Sequence, residues 1–358
     1  MLRCIRPTAP KFWCSMRGLN LGTINKFTMP RNILTASVRY YGEDCGDKVK
    51  IVKLTSRIQH GEGPYWDPDS NVLVYTDTFK ATLYKLKTDC ESPISPDCFK
   101  LPNHDSVGFA LRIKGKKDTW VVCGDRFMYE LKWPDKGKVT FKQIHMIEKD
   151  KPKNQFNDGK ADSLGRIWGG TLKRETDLSV PDFGGSLYMI DHNLKEREIL
   201  QKVSISNGLA WSKDNKKFYY IDSATRDIDE YTFSLENASI CNKRVVMNIK
   251  DHGYPGIADG MTIDENDHLW IAMFGGHEII QVNPSCGKIM RKIKMPASYV
   301  TSVIWGGPKF DILYATTSHL HLDDKQMKEE PDAGSVYAIY GLGVKGFPSN
   351  QAVINCKE

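Results

Sequence analysis

The sequence lacks three features that would place a protein in common classes. It has no run of 18 or more apolar residues, so no transmembrane helix and no membrane partner are predicted. Its nine cysteines are scattered and form no Cys-x-x-Cys pair, which argues against a zinc ribbon or a dithiol redox centre. Residues 1–42 hold seven Lys and Arg and no acidic residue, which gives this segment a net charge of +7. The net charge of the whole chain is +6, so residues 43–358 carry 6 − 7 = −1. Beyond residue 42 the chain therefore lacks the basic surface that nucleic-acid binding requires.

The basic segment 1–42 resembles a mitochondrial transit peptide, because it is rich in Arg, contains Ser and Thr, and has no continuous apolar core of the secretory kind. Two outcomes are expected from this composition. Either the segment directs the protein to mitochondria, or it is a disordered extension of a cytoplasmic protein. The scattered cysteines fit a reduced compartment in both cases.

Two apolar runs joined by a polar turn recur along the chain, most clearly in SNGLAWSKDNKKFYYIDS (206–223). Turns rich in Asp and Asn between apolar runs are typical of β-hairpins. Copies begin at positions 62, 106, 157, 207, 259 and 301, at intervals of 44, 51, 50, 52 and 42 residues. A period of about 40 to 50 residues built from strands is typical of propellers with four-stranded blades. The sequence therefore predicts an all-β fold, a six-bladed β-propeller over residues 48–350.

An ordinary β-sandwich is the alternative, but six units of this length fit badly into a sandwich of about 100 residues. A propeller must also close its ring, and pairing strands from the two chain ends is the usual solution. We therefore predict that residues 48–55 pair with residues 334–343 in the last blade. The repeat fills the chain after its first 50 residues, which indicates one folded domain and a monomer.

The first residue of each repeat has an oxygen atom in its side chain, and equivalent positions of a propeller converge on the central channel. These residues are Glu62, Ser106, Asn157, Asn207, Asp259 and Thr301. Glu62, Asn207 and Asp259, with Asn157 beside them, are hard ligands for one divalent cation: Ca²⁺, Mg²⁺ or Mn²⁺, or Zn²⁺ through the carboxylates. A cation with open coordination positions promotes hydrolysis, because it polarises a carbonyl group and acidifies a bound water. The alternative is that these side chains only hydrogen-bond the strand starts.

Five segments of the repeats together resemble one known family. They are HGEGPYWD (60–67), FNDGKAD (156–162), SNGLAWS (206–212), YYIDS (219–223) and ADGMTID (258–264). Their combination resembles the regucalcin, gluconolactonase and senescence-marker-protein family of six-bladed propellers. The segments TSVIWGGPKFDILYATTS and YGLGVKGF are similar to insect regucalcins and luciferin-regenerating enzymes. The resemblance covers residues 50–350 and leaves the basic segment unexplained.

The resemblance implies roles for particular residues. Glu62, Asn207 and Asp259 match the metal ligands of the family, and Asp259 also matches its catalytic base. Asn157 resembles the residue that holds substrate hydroxyls or a metal-bound water, and Glu175 the position of a second substrate-contacting acid. Gln155 is a departure, because the family has Arg there, and a neutral amide holds a substrate oxygen more weakly than a forked cation.

Two classes of function follow from this resemblance. The first is a metal-dependent hydrolase that opens a small hydroxylated lactone, with Gln155, Asn157 and Glu175 binding the substrate. The second is a calcium-binding regulatory protein without turnover, which the loss of the Arg at Gln155 favours. A hydrolase of the luciferin-regenerating type is a third alternative. Only turnover separates the first two, since both bind a metal through the same residues.

Overall fold

The computed structural model describes residues 49–88, 95–175 and 179–355, so the predicted leader 1–42 lies outside the described residues. The first described strand is β1 (Lys50–Lys53). The next two antiparallel sheets contain β2 (Gly61–Asp67), β3 (Val72–Asp77), β4 (Thr82–Lys87) and β5 (Asp97–Lys100), then β6 (Phe109–Arg112), β7 (Thr119–Gly124), β8 (Phe127–Lys132) and β9 (Thr140–Met146).

Two further four-stranded antiparallel sheets follow. They contain β10 (Asn154–Ala161), β11 (Ile167–Lys173), β12 (Gly185–Ile190) and β13 (Glu196–Val203), then β14 (Ser206–Trp211), β15 (Lys217–Asp222), β16 (Asp227–Ser234) and β17 (Ser239–Asn248). In each of these four sheets the strands lie in chain order, as consecutive hairpins. The hairpins predicted from the apolar runs are therefore confirmed.

The last sheet corrects the predicted fold. It has eight strands: β1 and β18 (Ile257–Ile263), β19 (Leu269–Phe274), β20 (Glu278–Asn283), β21 (Lys288–Lys294), β22 (Tyr299–Gly306), β23 (Ile312–Ser318) and β24 (Tyr337–Tyr340). The pairing of Phe274 with Tyr299 joins β19 to β22, so the strands of the last two repeats form one continuous sheet. The prediction of six blades is wrong: the all-β fold is propeller-like, with four blades and one larger curled sheet.

The chain ends pair as expected, since β1 runs antiparallel to β24 from Lys50 opposite Tyr340 to Lys53 opposite Tyr337. The helices of the described residues are short. They are two 3-10 turns, Thr78–Lys80 and Ile249–His252, and helix α1 (Asp324–Glu329), which begins at a capping box formed by Asp323 and Gln326. None of the helices described is long and apolar enough to span a membrane.

The first strand of each repeat contacts the first strand of the next. Strands β2, β6, β10, β14, β18 and β22 meet in that order, and β22 contacts β2. Glycines allow this close approach: a Cβ on Gly208 would lie 2.6 Å from the Cβ of Met261 and 2.9 Å from the backbone oxygen of Asp259. The six repeat starts are thereby brought into one ring.

The hydrophobic core lies between neighbouring sheets. Trp168, for example, packs edge-on against Trp211 of the next sheet with their ring centroids 5.6 Å apart. Within the eight-stranded sheet, Trp270 of β19 packs edge-on against Trp305 of β22 at 5.3 Å. Trp66, Trp168, Trp270 and Trp305 are fully buried. The recurring tryptophans are therefore core residues, and they stabilise the contacts between repeats.

Candidate metal centre

Glu62, Asn207 and Asp259 lie on β2, β14 and β18, three strands of the inner ring. Their relative exposures are 9%, 3% and 6%, so all three polar side chains are withdrawn from solvent. A glycine follows each of them in the sequence, and Gly63 has a left-handed backbone (φ +51°), which starts the register shift between Glu62 and Tyr65. A bulge of this kind re-aims side chains at the start of a strand.

The two predicted metal-binding carboxylates influence each other. Burial, and after it the charge of Asp158, raises the pKa of Glu62 to about 8, against the opposing hydrogen bond from the Gly63 backbone N–H at 3.0 Å. Burial raises the pKa of Asp259 well above its ordinary value, and the charges of Glu62 and Asp158 raise it further. Several carboxylates that disfavour each other's ionisation form a site where a cation is strongly favoured.

Asp158 is a third acidic residue of this site, and the sequence analysis did not single it out. It lies on β10 beside Asn157 and is only 5% exposed. Burial raises its pKa, whereas the charge of Lys160 and a 2.7 Å hydrogen bond from the Gly159 backbone N–H lower it. Among the described residues its Oδ2 has no hydrogen-bond partner. The sequence signal was present, since Asp158 is the acid of the Asn-Asp-Gly segment.

Lys160 is the buried cation that accompanies these acids. Burial lowers its pKa to about 8, the charge of Asp158 opposes this shift, and its Nζ donates to the backbone oxygen of Met261. Glu62, Asp158 and Asp259 in their ionised forms together with protonated Lys160 carry a net charge of −2. A divalent cation would neutralise that charge.

Asn207 is held in one orientation by hydrogen bonds on both sides of its amide. Its Nδ2 donates to Ser223 Oγ at 2.7 Å, and Ser223 Oγ donates to the Ala258 backbone oxygen at 2.6 Å. Its Oδ1 accepts from Asn157 Nδ2 at 2.8 Å. A carbonyl oxygen has two acceptor sites, so Oδ1 keeps one lone pair for a cation while its direction is fixed.

The chemistry of these donors fits a hard divalent cation, which Glu62, Asp259 and the Asn207 amide oxygen would hold. Within residues 49–88, 95–175 and 179–355, no three His, Cys, Asp or Glu side chains are arranged to hold a metal. The Oδ2 of Asp158 has no hydrogen-bond partner among the described residues, and the pKa values of Glu62 and Asp259 are raised. The described protein groups therefore do not fully compensate the negative charge of these acids.

The three predicted substrate-binding residues have different surroundings. Asn157 donates to Asn207 Oδ1 and, at 2.9 Å, to the Ser206 backbone oxygen, so it orients Asn207. Gln155 is buried opposite Leu172, and its Nε2 has no partner among the described atoms. Glu175 forms ion pairs with Lys153 and, at 2.7 Å, with Lys173, and these hydrogen bonds lower its pKa to about 2.

The remaining repeat starts stabilise the fold. Ser106 donates from its backbone N–H and its hydroxyl to Asp125 Oδ1, at 3.0 and 2.9 Å. Thr301 Oγ1 donates to the Gly61 backbone oxygen at 2.6 Å, which ties β22 to β2. At these two positions the side chain forms a hydrogen bond that secures a strand start.

A cavity of about 210 Å³ lies beside the acidic site. Its lining includes residues that follow the site residues along β2, β10, β14 and β18, among them Tyr65, Lys160 and Thr262, and the C-terminal segment 347–350. Asp158 lines it as well. Asp158 therefore faces a space large enough for water next to the two predicted metal ligands.

Fold and site together define a class: a propeller-like β protein whose inner strands bring buried carboxylates and an oriented amide together. The family model "SMP-30/Gluconolactonase/LRE-like region" matches residues 60–319. Bovine (Bos taurus) regucalcin is 33% identical over 304 residues, which cover 84% of this chain and 97% of the bovine protein. The chain belongs to the SMP-30/gluconolactonase/LRE-like family.

Two solved structures have a similar fold. A luciferin-regenerating enzyme is 35% identical and superposes with a TM-score of 0.78, covering 85% of this chain and 99% of that enzyme. A calcium-binding protein, regucalcin, from Agrobacterium tumefaciens is 22% identical with a TM-score of 0.73, covering 84% of this chain and 95% of that protein. The resemblance noted in the sequence motifs is confirmed.

Proposed function

We propose that the chain is a metal-dependent hydrolase that opens a small lactone ring. The observation that carries the proposal is the group of three buried carboxylates, Glu62, Asp158 and Asp259, accompanied by one buried lysine, Lys160. The family model includes gluconolactonases by name, and lactone opening is the reaction that this name describes. Glu62, Asn207 and Asp259 would hold one divalent cation of the Ca²⁺, Zn²⁺, Mg²⁺ or Mn²⁺ group.

The residues of the site would have different roles in ester hydrolysis. A divalent cation bound there would supply polarisation of the lactone carbonyl and a more acidic water. Asp259, whose buried carboxylate favours a proton, accepts the proton of the attacking water and returns it to the ring oxygen that leaves. Asn157 keeps Asn207 in place by donating to its Oδ1.

Turnover on defined lactones tests this proposal. Protein without residues 1–42 is mixed with a panel of aldonolactones and each divalent cation in turn, and acid release is followed with a pH indicator. We expect metal-dependent hydrolysis that falls by about a hundredfold or more in Asp259→Ala. Asp251→Ala, which removes an exposed carboxylate from a 3-10 turn, is the matched control. Equal rates in wild type and Asp259→Ala would refute the assignment of Asp259.

A second candidate is a calcium-binding protein without turnover, and Gln155 favours it. The buried neutral amide of Gln155 occupies the position where the family has the guanidinium of an Arg, so it binds a substrate oxygen more weakly. Saturable Ca²⁺ binding by the same protein, with no lactone opened under any metal, would support this candidate over the hydrolase.

A further inference from the structure

A second group of side chains lies at the end of the ring where Glu62 is found. This rim cluster consists of two histidines, three aromatic residues and one arginine: His60, His321, Phe79, Phe274, Tyr299 and Arg174. His60 lies directly before β2 and two residues before Glu62, so the two positions are at most about 7 Å apart along the chain. The cluster therefore begins about one residue layer away from the predicted metal ligand.

The rings of the rim cluster contact one another. The His60 ring centroid lies 5.0 Å from that of Phe79 and 6.2 Å from that of Phe274, and Phe274 lies 4.6 Å from Tyr299. Phe79, Phe274 and Tyr299 are only partly buried, and they lie outside the five buried hydrophobic clusters that the described residues form. Partly exposed rings beside a catalytic site form a surface that a flat ligand can cover.

Arg174 supplies the positive charge of this surface. Its guanidinium carbon lies 4.6 Å from the centroid of the Phe79 ring, within the range of a cation–π contact. A guanidinium stays protonated in proteins, so Arg174 gives the rim cluster a permanent positive charge.

Arg174 also stands in a definite relation to Gln155, the position where the family has Arg. Gln155 pairs with Leu172 across the β10–β11 ladder, and the Arg174 backbone N–H extends that ladder by donating to the Lys153 oxygen. Side chains alternate along a strand, so Arg174 continues the face of Leu172 and is a diagonal neighbour of Gln155. The guanidinium that the family has at position 155 is therefore supplied here by Arg174, which extends the neighbouring strand.

We propose that the rim cluster is a binding subsite for a planar aromatic group that carries an anionic substituent, with Arg174 binding the anion and Phe79 and Phe274 covering the ring. The proposal rests on the proposed function, because it assigns a further substrate class to that same site: an acidic aromatic ester or lactone. Arg174 is then a specificity-determining residue. Its planar fork binds two oxygens of a carboxylate, sulfonate or phosphate at once.

The test is equilibrium binding, measured by calorimetry with naphthalene-2-sulfonate as the probe, since a sulfonate is a weak metal ligand. Naphthalene-2-sulfonamide is its neutral counterpart at pH 7. We expect Arg174→Gln to weaken binding of the sulfonate about tenfold or more and that of the sulfonamide less than about twofold, because a hydrogen bond to a charged group is lost. Arg174→Lys should recover part of the sulfonate affinity, and Phe79→Ala should weaken both probes.

Lys80→Gln is the matched control, because Lys80 is an exposed cation next to Phe79 and should not affect either probe. Equal affinity for sulfonate and sulfonamide, or sulfonate binding that Arg174→Gln leaves unchanged, would overturn the proposal. The binding measurement is independent of turnover. Arg174-dependent binding with no lactone opened would reject the hydrolase and keep the subsite, whereas lactone opening with binding insensitive to Arg174 would do the reverse.

Discussion

Two groups of carboxylates among the described residues differ in their surroundings, and the surroundings decide what each group does. Asp77, Asp125 and Asp222 lie at or directly after the end of the second strand of their sheets. They accept backbone N–H groups from the segment that leads into the first strand. Glu62 and Asp259 are buried among other acids instead. The first three aspartates stabilise the ring of strands by hydrogen bonds. The buried charges of Glu62 and Asp259 favour binding of a cation.

Asp125 gives a prediction about stability and pH. Burial alone would raise its pKa, but hydrogen bonds from His104, at 2.6 Å, and from Ser106 outweigh burial and lower it. A lowered pKa in the folded state adds stability above the unfolded pKa of about 3.9, and this stability is lost as pH falls through the folded pKa. We expect Asp125→Asn to lower the free energy of unfolding by about 1 to 3 kcal/mol at pH 7.

Urea unfolding of both proteins between pH 7 and pH 3 measures this effect. The difference between them should stay constant from pH 7 to about 5 and shrink below about pH 4. A difference that grows as the pH falls would contradict the assigned role of Asp125.

At the residue scale, candidate site residues could be predicted from the sequence where a suitable side chain lies at a repeat position. Glu62, Asn207 and Asp259 could be found because each opens a hairpin repeat with an oxygen-bearing side chain. Arg174 could not be found in this way, since it follows a strand at no repeat position and its role depends on Phe79, which is 95 residues away in sequence. Contacts between loops of different repeats leave no periodic signal.

At the scale of the hairpin, one buried aspartate fixes the turn. Asp264 Oδ1 accepts the backbone N–H groups of Asn266 and His268, and its Oδ2 accepts from Trp270 Nε1 at 2.9 Å and from Gln281 at 2.8 Å. Asp162 binds the Nε1 of Trp168 in the same way. An Asp six residues before a Trp therefore marks a hairpin whose turn is secured to the core.

Removing this carboxylate leaves buried donors without acceptors. We expect Asp264→Ala to lower the free energy of unfolding by about 2 kcal/mol or more, since the Trp270 and Gln281 donors are buried and each unsatisfied buried donor costs about 1 kcal/mol or more. Asp191→Ala is the matched control: Asp191 accepts the N–H groups of Asn193 and Lys195 in an exposed turn, so about 1 kcal/mol or less is expected. Equal losses, measured by urea unfolding, would show that burial of the donors is not the cause.

At the scale of the whole molecule, the inner strands bring residues from distant repeats together. The sequence period predicted the hairpins, the ring of repeat starts and the pairing of β1 with β24, because each depends on a local pattern or on the closing of a sheet edge. It did not predict the joining of β19 to β22 at Phe274 and Tyr299. That pairing depends on how residues 275–298 return to the sheet, and a repeat length carries no such information.

The central claim is that Glu62, Asn207 and Asp259 form one divalent-cation site, and titration of the metal-free protein with Mn²⁺, followed by electron paramagnetic resonance, tests it most directly. We predict one bound Mn²⁺ per chain, with affinity reduced about tenfold or more in Asp259→Asn and in Glu62→Gln, because each variant removes one ligand charge. Asp251→Asn should bind as the wild type does. Absence of bound Mn²⁺, or unchanged affinity in both site variants, would contradict the claim.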